Sequence, residues 1–243
     1  MIGGVPRVTV CLPTYNELPN LEPMVTALRD VLPVDARILV IDDASPDGTG
    51  ELADQLAAAD DCTSVLHRAR KEGLGPAYVA GFRQALADGA ELVVEIDCDF
   101  SHDPNDVPRL LAAAENADVV LGSRYVEGGG VRNWGRSRRW ISAGGSAYAR
   151  IVLGTRVRDL TGGFKCYRSE VLETIPLERI SSKGYAFQIE TTYRAQQAGF
   201  SVVEIPITFA DREVGHSKMS RAIVLEAIWR VPALRLQALF GRL

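Results

Sequence analysis

Short β-branched runs, each ended by polar residues, alternate along the chain with segments whose apolar residues recur every three or four positions. Val8-Thr9-Val10-Cys11-Leu12, Arg37–Ile41, Ser64–His67, Glu91–Ile96 and Asp118–Leu121 read as strands. Between them, Leu21, Val25, Leu28 and Leu32 share one helical face, and Leu52 and Leu56 follow a capping Asp47. Tyr78, Phe82, Ala85 and Leu86 line a third helix on which Gly81 permits close approach, and Val107, Leu110, Leu111 and Ala114 line a fourth. Near-continuous apolar strands linked by short turns to amphipathic helices predict a mainly parallel sheet with helices on both faces.

The rhythm changes after Gly122. Tyr125–Arg139, rich in glycine and arginine and lacking periodicity, reads as a mobile loop over a site. A helix over Ser142–Leu153, a loop around Asp159–Lys165, a helix near Phe187–Ala198 closed by Gly199 and a strand over Val202–Ile205 follow. No linker interrupts this order, so residues 1–218 are expected to form one domain. Residues 219–243 are expected to form an amphipathic helical segment, with Trp229 and Phe240 among its apolar residues, Arg221, Arg230 and Arg235 interspersed, and Pro232 kinking or dividing it. That segment suits a membrane surface, a membrane-anchoring partner subunit, or ordinary core packing.

Composition narrows the class. The 243 residues are 47% hydrophobic and 24% charged with a net charge of −4, which disfavours a nucleic-acid-binding surface. Cys11, Cys62, Cys98 and Cys166 are scattered without a CxxC pair, so buried reduced thiols are expected rather than disulfides or zinc. The first strand begins by Val8, leaving no room for a signal peptide, and no apolar run reaches the roughly 18 residues of a spanning helix. The expected location is therefore cytoplasmic, peripheral to the cytoplasmic face of a membrane.

The candidate chemistry lies where strands end. Pro13-Thr14-Tyr15-Asn16-Glu17, Asp42-Asp43 and Asp97-Cys98-Asp99 fall at the carboxyl ends of parallel strands, where ligands of open α/β sheets bind. Asp42-Asp43 reads equally well as turn chemistry. Asp97-x-Asp99 places two carboxylates beside a buried strand, an arrangement that a hard cation and its phosphate ligand would relieve. GxxxxGK[ST] and GxGxxG are absent, which disfavours P-loop and dinucleotide sites. Gly73-Leu74-Gly75 is a weak candidate for a phosphate cradle. His67, His102 and His216 are too dispersed for a metal or relay and read as surface or core residues.

Together with Asp42–Thr49 and Asp97–Pro104, Pro13–Glu17 resembles the family-2 glycosyltransferases of the GT-A (Rossmann-like) fold, and within them the polyprenol-phosphate (dolichol-phosphate) mannose synthases. The resemblance continues through Gly122–Tyr125, Asp159–Lys165, Gly184–Glu190 and Asp211–Lys218, so it spans nearly the whole chain in the family's order. It implies a mannosyltransferase with GDP-mannose as donor, a polyprenyl monophosphate as acceptor and Mg²⁺ or Mn²⁺ as cofactor. By position, Pro13, Tyr15, Glu17, Ile41 and Asp43 would hold the guanosine, and Asp97, Cys98 and Asp99 would contact donor and metal. Asp99 is the implied main metal ligand, with Asp97 a further candidate. Ser101, standing where many relatives have glutamine, is a weak ligand, and Cys98 stands where relatives often have alanine.

Arg212, Lys218 and the backbone of Ala186 match further donor contacts, and Arg124 and Arg138 match a basic pair at the acceptor phosphate. Direct displacement with inversion would need no strong base, because a phosphate monoester with a second pKa near ~6 is already anionic at neutral pH. Two alternatives are transfer of glucose or another hexose from a different nucleotide sugar, and a non-catalytic subunit that binds nucleotide sugars. Without the motif, Arg124 reads equally well as a surface ion pair and Arg136, Arg138 and Arg139 as a solvated basic loop.

Overall fold

The computed structural model describes residues 6–180, 182, 184–211, 221–241 and 243. It opens with β1 (Val8–Thr14), α1 (Leu18–Val31), β2 (Arg37–Asp42), α2 (Thr49–Ala59), β3 (Thr63–His67), α3 (Leu74–Ala87) and β4 (Leu92–Glu95), a regular strand–helix alternation. A 3-10 turn at Pro104–Asp106 leads into α4 (Val107–Ala113) and then β5 (Val119–Ser123). The second part comprises β6 (Gly130–Val131), α5 (Arg136–Leu153), β7 (Lys165–Arg168), α6 (Ser169–Thr174), α7 (Gly184–Gln197), β8 (Val202–Pro206), β9 (Thr208–Phe209) and α8 (Arg221–Leu239).

The main sheet has the order β3-β2-β1-β4-β7-β5-β8, and every neighbouring pair except those of β7 is parallel. Its strands read as unbroken apolar runs because both faces are covered. Val10, Leu12, Ile38, Val40 and Val94 point to one side, where Leu21, Met24 and Leu28 of α1 and Leu110 of α4 meet them. Cys11, Leu39, Ile41 and Val93 alternate to the other side, against Tyr78 and Phe82 of α3 and Phe187 of α7. Burying each such large apolar side chain stabilises the fold by about 1.5–3 kcal/mol. Gly81 lies where a Cβ would collide with Ile41, so its lack of a side chain lets α3 lie close on the sheet.

Three expectations change. Lys165, expected at the end of a loop, opens a strand, Lys165–Arg168, that runs antiparallel between β4 and β5. Four residues bracketed by Lys and Arg give no periodic signal, and the buried Lys165 is met by Glu95, Gln188 and Thr191. The aperiodic segment after Tyr125 holds the short strand β6, which pairs with β9, and the start of α5. One of its glycines answers to packing: a Cβ on Gly129 would lie 2.5 Å from the backbone oxygen of Ser123. Pro232 sits inside α8 without dividing it.

Helix α8 packs on α5 and α7, with Val231 and Leu234 buried in a third apolar cluster. The four cysteines are free thiols, three of them buried. Among the described residues, no helix is long and apolar enough to cross a membrane.

Candidate active site

The loops leaving β1, β2 and β4 meet at the carboxyl rim of the sheet, and each contains a non-glycine residue in the left-handed region: Asn16, Ala44 and Phe100. Asn tolerates this conformation, whereas Ala and Phe give up about 1–2 kcal/mol each, strain of the kind that collects at binding sites.

In the first loop, Tyr15 is half-buried. The amide of Glu17 donates to Thr49 Oγ1 (3.0 Å), while its carboxylate accepts from Asn20 Nδ2 (2.8 Å). Pro13 and Ile41 sit side by side in the β1–β2 register. Asp42 accepts from the amide of Ser45, and Asp47 holds the start of α2 through Thr49. Asp43 is committed to its own surroundings. Its carboxylate accepts from the amides of Glu72 (3.1 Å) and Gly73 (2.8 Å) and pairs with Arg68. In Gly73-Leu74-Gly75, the weak candidate for a phosphate cradle, the Gly73 N–H is taken by Asp43. Lys71, in the same turn, lies over the Tyr15 ring.

In the third loop, Asp97 accepts from the hydroxyl of Tyr78 (3.3 Å). Burial first, and then the charge of Asp97, push the Tyr78 pKa well up, so the phenol stays protonated and remains a donor. Cys98 and Asp99 are buried, and Asp99 Oδ1 accepts from the amide of Ser101 (3.0 Å). The Ser101 hydroxyl is buried without a hydrogen-bond partner. Among the described residues, no three His, Cys, Asp or Glu side chains assemble a metal cluster, so a cation here would depend on a mixed set of oxygen donors.

The arginines stand beside this acidic loop. Arg124, just past β5, is buried and held by Asp159 through Nε (2.7 Å) and Nη2 (2.6 Å), and Nη2 also donates to Thr161. Burial alone would disfavour the charged guanidinium, but Asp159 outweighs it and the Arg124 pKa is raised. Arg138, in the first turn of α5, donates to Asp211 (2.7 Å) and stacks on Trp134 at 4.4 Å. Arg124 lies 5.6 Å from the same indole and 5.4 Å from Phe209. Phe209 also packs against His102 (5.0 Å) and Trp134 (5.3 Å), while Ala210 donates its amide to the carbonyl of Ser101. The acidic loop and both arginines thus meet across the β9 segment.

Ala186 is buried near the start of α7, next to Phe187, which stacks on Tyr78 behind Asp97. Arg212, Lys218 and His216 lie outside the described residues. His67 is half-exposed and contacts Asp54 (2.8 Å), whereas His102 is buried among aromatics. Sequence reasoning assigned no role to Asp159, Trp134, Phe209, Asp211 or Lys71. Two of them lay in motifs of the family resemblance, Asp159 in Asp159–Lys165 and Asp211 in Asp211–Lys218; the fold splits the first, with Asp159 and Thr161 serving Arg124 while Lys165 points into the sheet.

An α/β sheet of this order, with acidic loops at its carboxyl rim, defines a glycosyltransferase of the GT-A type. The chain belongs to glycosyl transferase family 2, whose profile matches residues 9–175. It is 51% identical over 225 residues to the undecaprenyl-phosphate mannosyltransferase of Micrococcus luteus, covering 93% of this chain and 92% of that protein. It is also 51% identical over 227 residues to the polyprenol monophosphomannose synthase of Mycolicibacterium smegmatis, covering 93% and 85%. The fold is shared with glucosyl-3-phosphoglycerate synthase from Mycobacterium tuberculosis. The structure of that protein with Mn²⁺, UDP and glucosyl-3-phosphoglycerate superposes with a TM-score of 0.61 at 20% identity, over 98% of this chain and 80% of that one. Its Mg²⁺–UDP complex gives a TM-score of 0.62, again at 20% identity, over 98% and 79%.

Proposed function

We propose that this chain transfers mannose from GDP-mannose to a polyprenyl monophosphate, with inversion at the anomeric carbon, at a membrane surface. Two relatives named for polyprenyl-phosphate mannose transfer, matched over most of their length, support the reaction. The observation that carries it to a site is the meeting of the Asp97–His102 loop with Arg124 and Arg138 across Phe209 and Trp134.

In this reading Pro13, Tyr15, Glu17, Ile41 and Asp43 form the guanosine end of the donor site. Asp97, Cys98 and the backbone of Ala186 border the sugar diphosphate, and Arg212 and Lys218 contact the diphosphate. Arg124 and Arg138 hold the acceptor phosphate by their charge and by guanidinium N–H groups other than those given to Asp159, Thr161 and Asp211. An acceptor oxygen, already anionic, attacks the anomeric carbon as the bond to the diphosphate breaks, and GDP leaves with the electron pair. The chain's task is to align and to balance charge, so no general base is required.

The residues fit a hard divalent cation: the donors are all oxygen, and the Ser101 hydroxyl is a buried oxygen that the protein leaves without a partner. Asp99, with Asp97 and Ser101 beside it, would hold Mg²⁺ or Mn²⁺, which when bound neutralises charge on the leaving diphosphate. Apolar side chains left in the open support a peripheral membrane location: Trp140 on α5 is 77% exposed, Trp229 on α8 is 78% exposed and Phe240 just beyond it is 73% exposed.

The test is incubation with polyprenyl phosphate, Mg²⁺ or Mn²⁺ and radiolabelled GDP-mannose or UDP-glucose, followed by lipid extraction. Label should enter lipid from GDP-mannose alone. Label from UDP-glucose alone would move the reading to glucosyl transfer, and no labelled lipid from either donor would overturn it.

A further inference from the structure

Lys71 is an exposed residue in the turn between β3 and α3, and its ammonium lies 3.4 Å from the centroid of the Tyr15 ring. The turn is fixed on one side of that ring. Asp43 accepts the amides of Glu72 and Gly73, the two residues that follow Lys71, and pairs with Arg68, three residues before it. A carboxylate has about four lone-pair sites, so three donors leave Asp43 little capacity for a base. Its effect on a bound nucleotide therefore runs largely through the turn it anchors, and Lys71 is the cation that turn presents to Tyr15.

We propose that Lys71 reads the O6/N7 edge of a guanine stacked on Tyr15 and so sets the purine preference of the donor site. The proposal rests on the guanosine reading of that site given above. A base stacking on Tyr15 takes the ring face that the ammonium now covers. The ammonium is tethered at a pinned backbone by a four-carbon arm, so it moves to the perimeter of the base. It carries three donors and no acceptor. Guanine presents adjacent acceptors, O6 and N7, on one edge, whereas adenine sets an amine donor beside N7 and would oppose the ammonium. Lys71 thus selects guanine over adenine by what it can donate to, while the stack on Tyr15 is indifferent to the base.

The test is calorimetric titration of the full chain with GDP, ADP and UDP in Mg²⁺, for the native protein and for Lys71→Met and Lys71→Arg. The native chain should bind GDP more tightly than ADP or UDP. Lys71→Met should weaken GDP about tenfold, as loss of a charge-assisted hydrogen bond does, and leave ADP unchanged. Lys71→Arg, which keeps the donors, should keep the preference for GDP. Because the side chain is exposed, thermal melting should be the same for all three proteins. Equal weakening of GDP and ADP in Lys71→Met, or no weakening of either, would overturn the role of Lys71. A native chain that binds UDP as tightly as GDP would instead overturn the guanosine reading, and it would do so before any variant is compared.

Discussion

Asp159 grips Arg124 along one edge of the guanidinium, with Nε–Oδ2 at 2.7 Å and Nη2–Oδ1 at 2.6 Å, and the two side chains are only 4% and 0% exposed. The amide of Arg124 donates to the same carboxylate (2.9 Å), and Glu204 in turn accepts the amides of Arg158 and Asp159. One arginine of the proposed acceptor pair is therefore held rigidly, and the other, Arg138, is held by the partly exposed Asp211.

Removing the partner of a buried charge is more damaging than replacing the whole pair. Asp159→Ala should destabilise the fold by about 3–5 kcal/mol, while Arg124→Met combined with Asp159→Leu should recover much of that loss. Urea unfolding of the two variants checks this. Transfer activity should be low in both, because neither keeps a positioned guanidinium.

Asp99→Asn should lower the turnover by about 10²–10³-fold, comparable to loss of one charge-stabilising contact in an active site. Ser101→Ala should behave differently. Its hydroxyl is buried without a hydrogen-bond partner, so its removal should not lower the unfolding free energy but should raise the Mg²⁺ or Mn²⁺ concentration needed for half-maximal activity. A metal titration beside a denaturation curve separates the two effects.

The pair Lys165–Glu95, 3.2 Å apart and fully buried in the sheet, should appear as a pH dependence of stability. Burial pushes the Glu95 pKa up to about 7 against the opposing charge of Lys165. The folded state then holds this proton more tightly than the unfolded chain, so the contribution is fully present below the ordinary value of 4.5 and is lost as pH rises through about 7. Lys165→Met removes the opposing charge and raises the Glu95 pKa further. That variant should lie nearest native stability at about pH 5, where Glu95 is neutral, and fall further behind by about 1.4 kcal/mol at about pH 8, one pH unit above the native value. Thermal melts across this range test the slope.

Gly129→Ala would set a methyl group 2.5 Å from the Ser123 oxygen, an atom of the backbone that cannot turn aside. The loop carrying Trp134 must shift, and a displacement of about 1 Å can cost ~10²-fold in rate. The expected result is a larger loss in transfer activity than in melting temperature, measured on the same preparation.

The hydrophobic pattern alone established most of the sheet. Val10, Leu12, Ile38, Val40 and Val94 announce strands covered on both faces, because a residue period of two within an unbroken apolar run leaves no face for water. It also placed Tyr15, Glu17, Asp43, Asp97 and Asp99 at strand ends, since chain order and strand direction suffice to bring carboxyl ends together. The antiparallel β7 was not legible, for its four residues are held by neighbours far along the chain, Glu95 and Ala114 among them.

Tertiary structure alone decided the partners. Asp159 lies 35 residues from Arg124, and nothing local distinguishes a carboxylate that will clamp an arginine from one that will meet a metal. Lys165 shares a motif with Asp159, yet burial sends one side chain to the rim and the other into the sheet. Local periodicity follows from covalent geometry and can be read in order along the chain. The environment of a charge depends on which distant groups desolvate it, and that is settled only when the sheet closes.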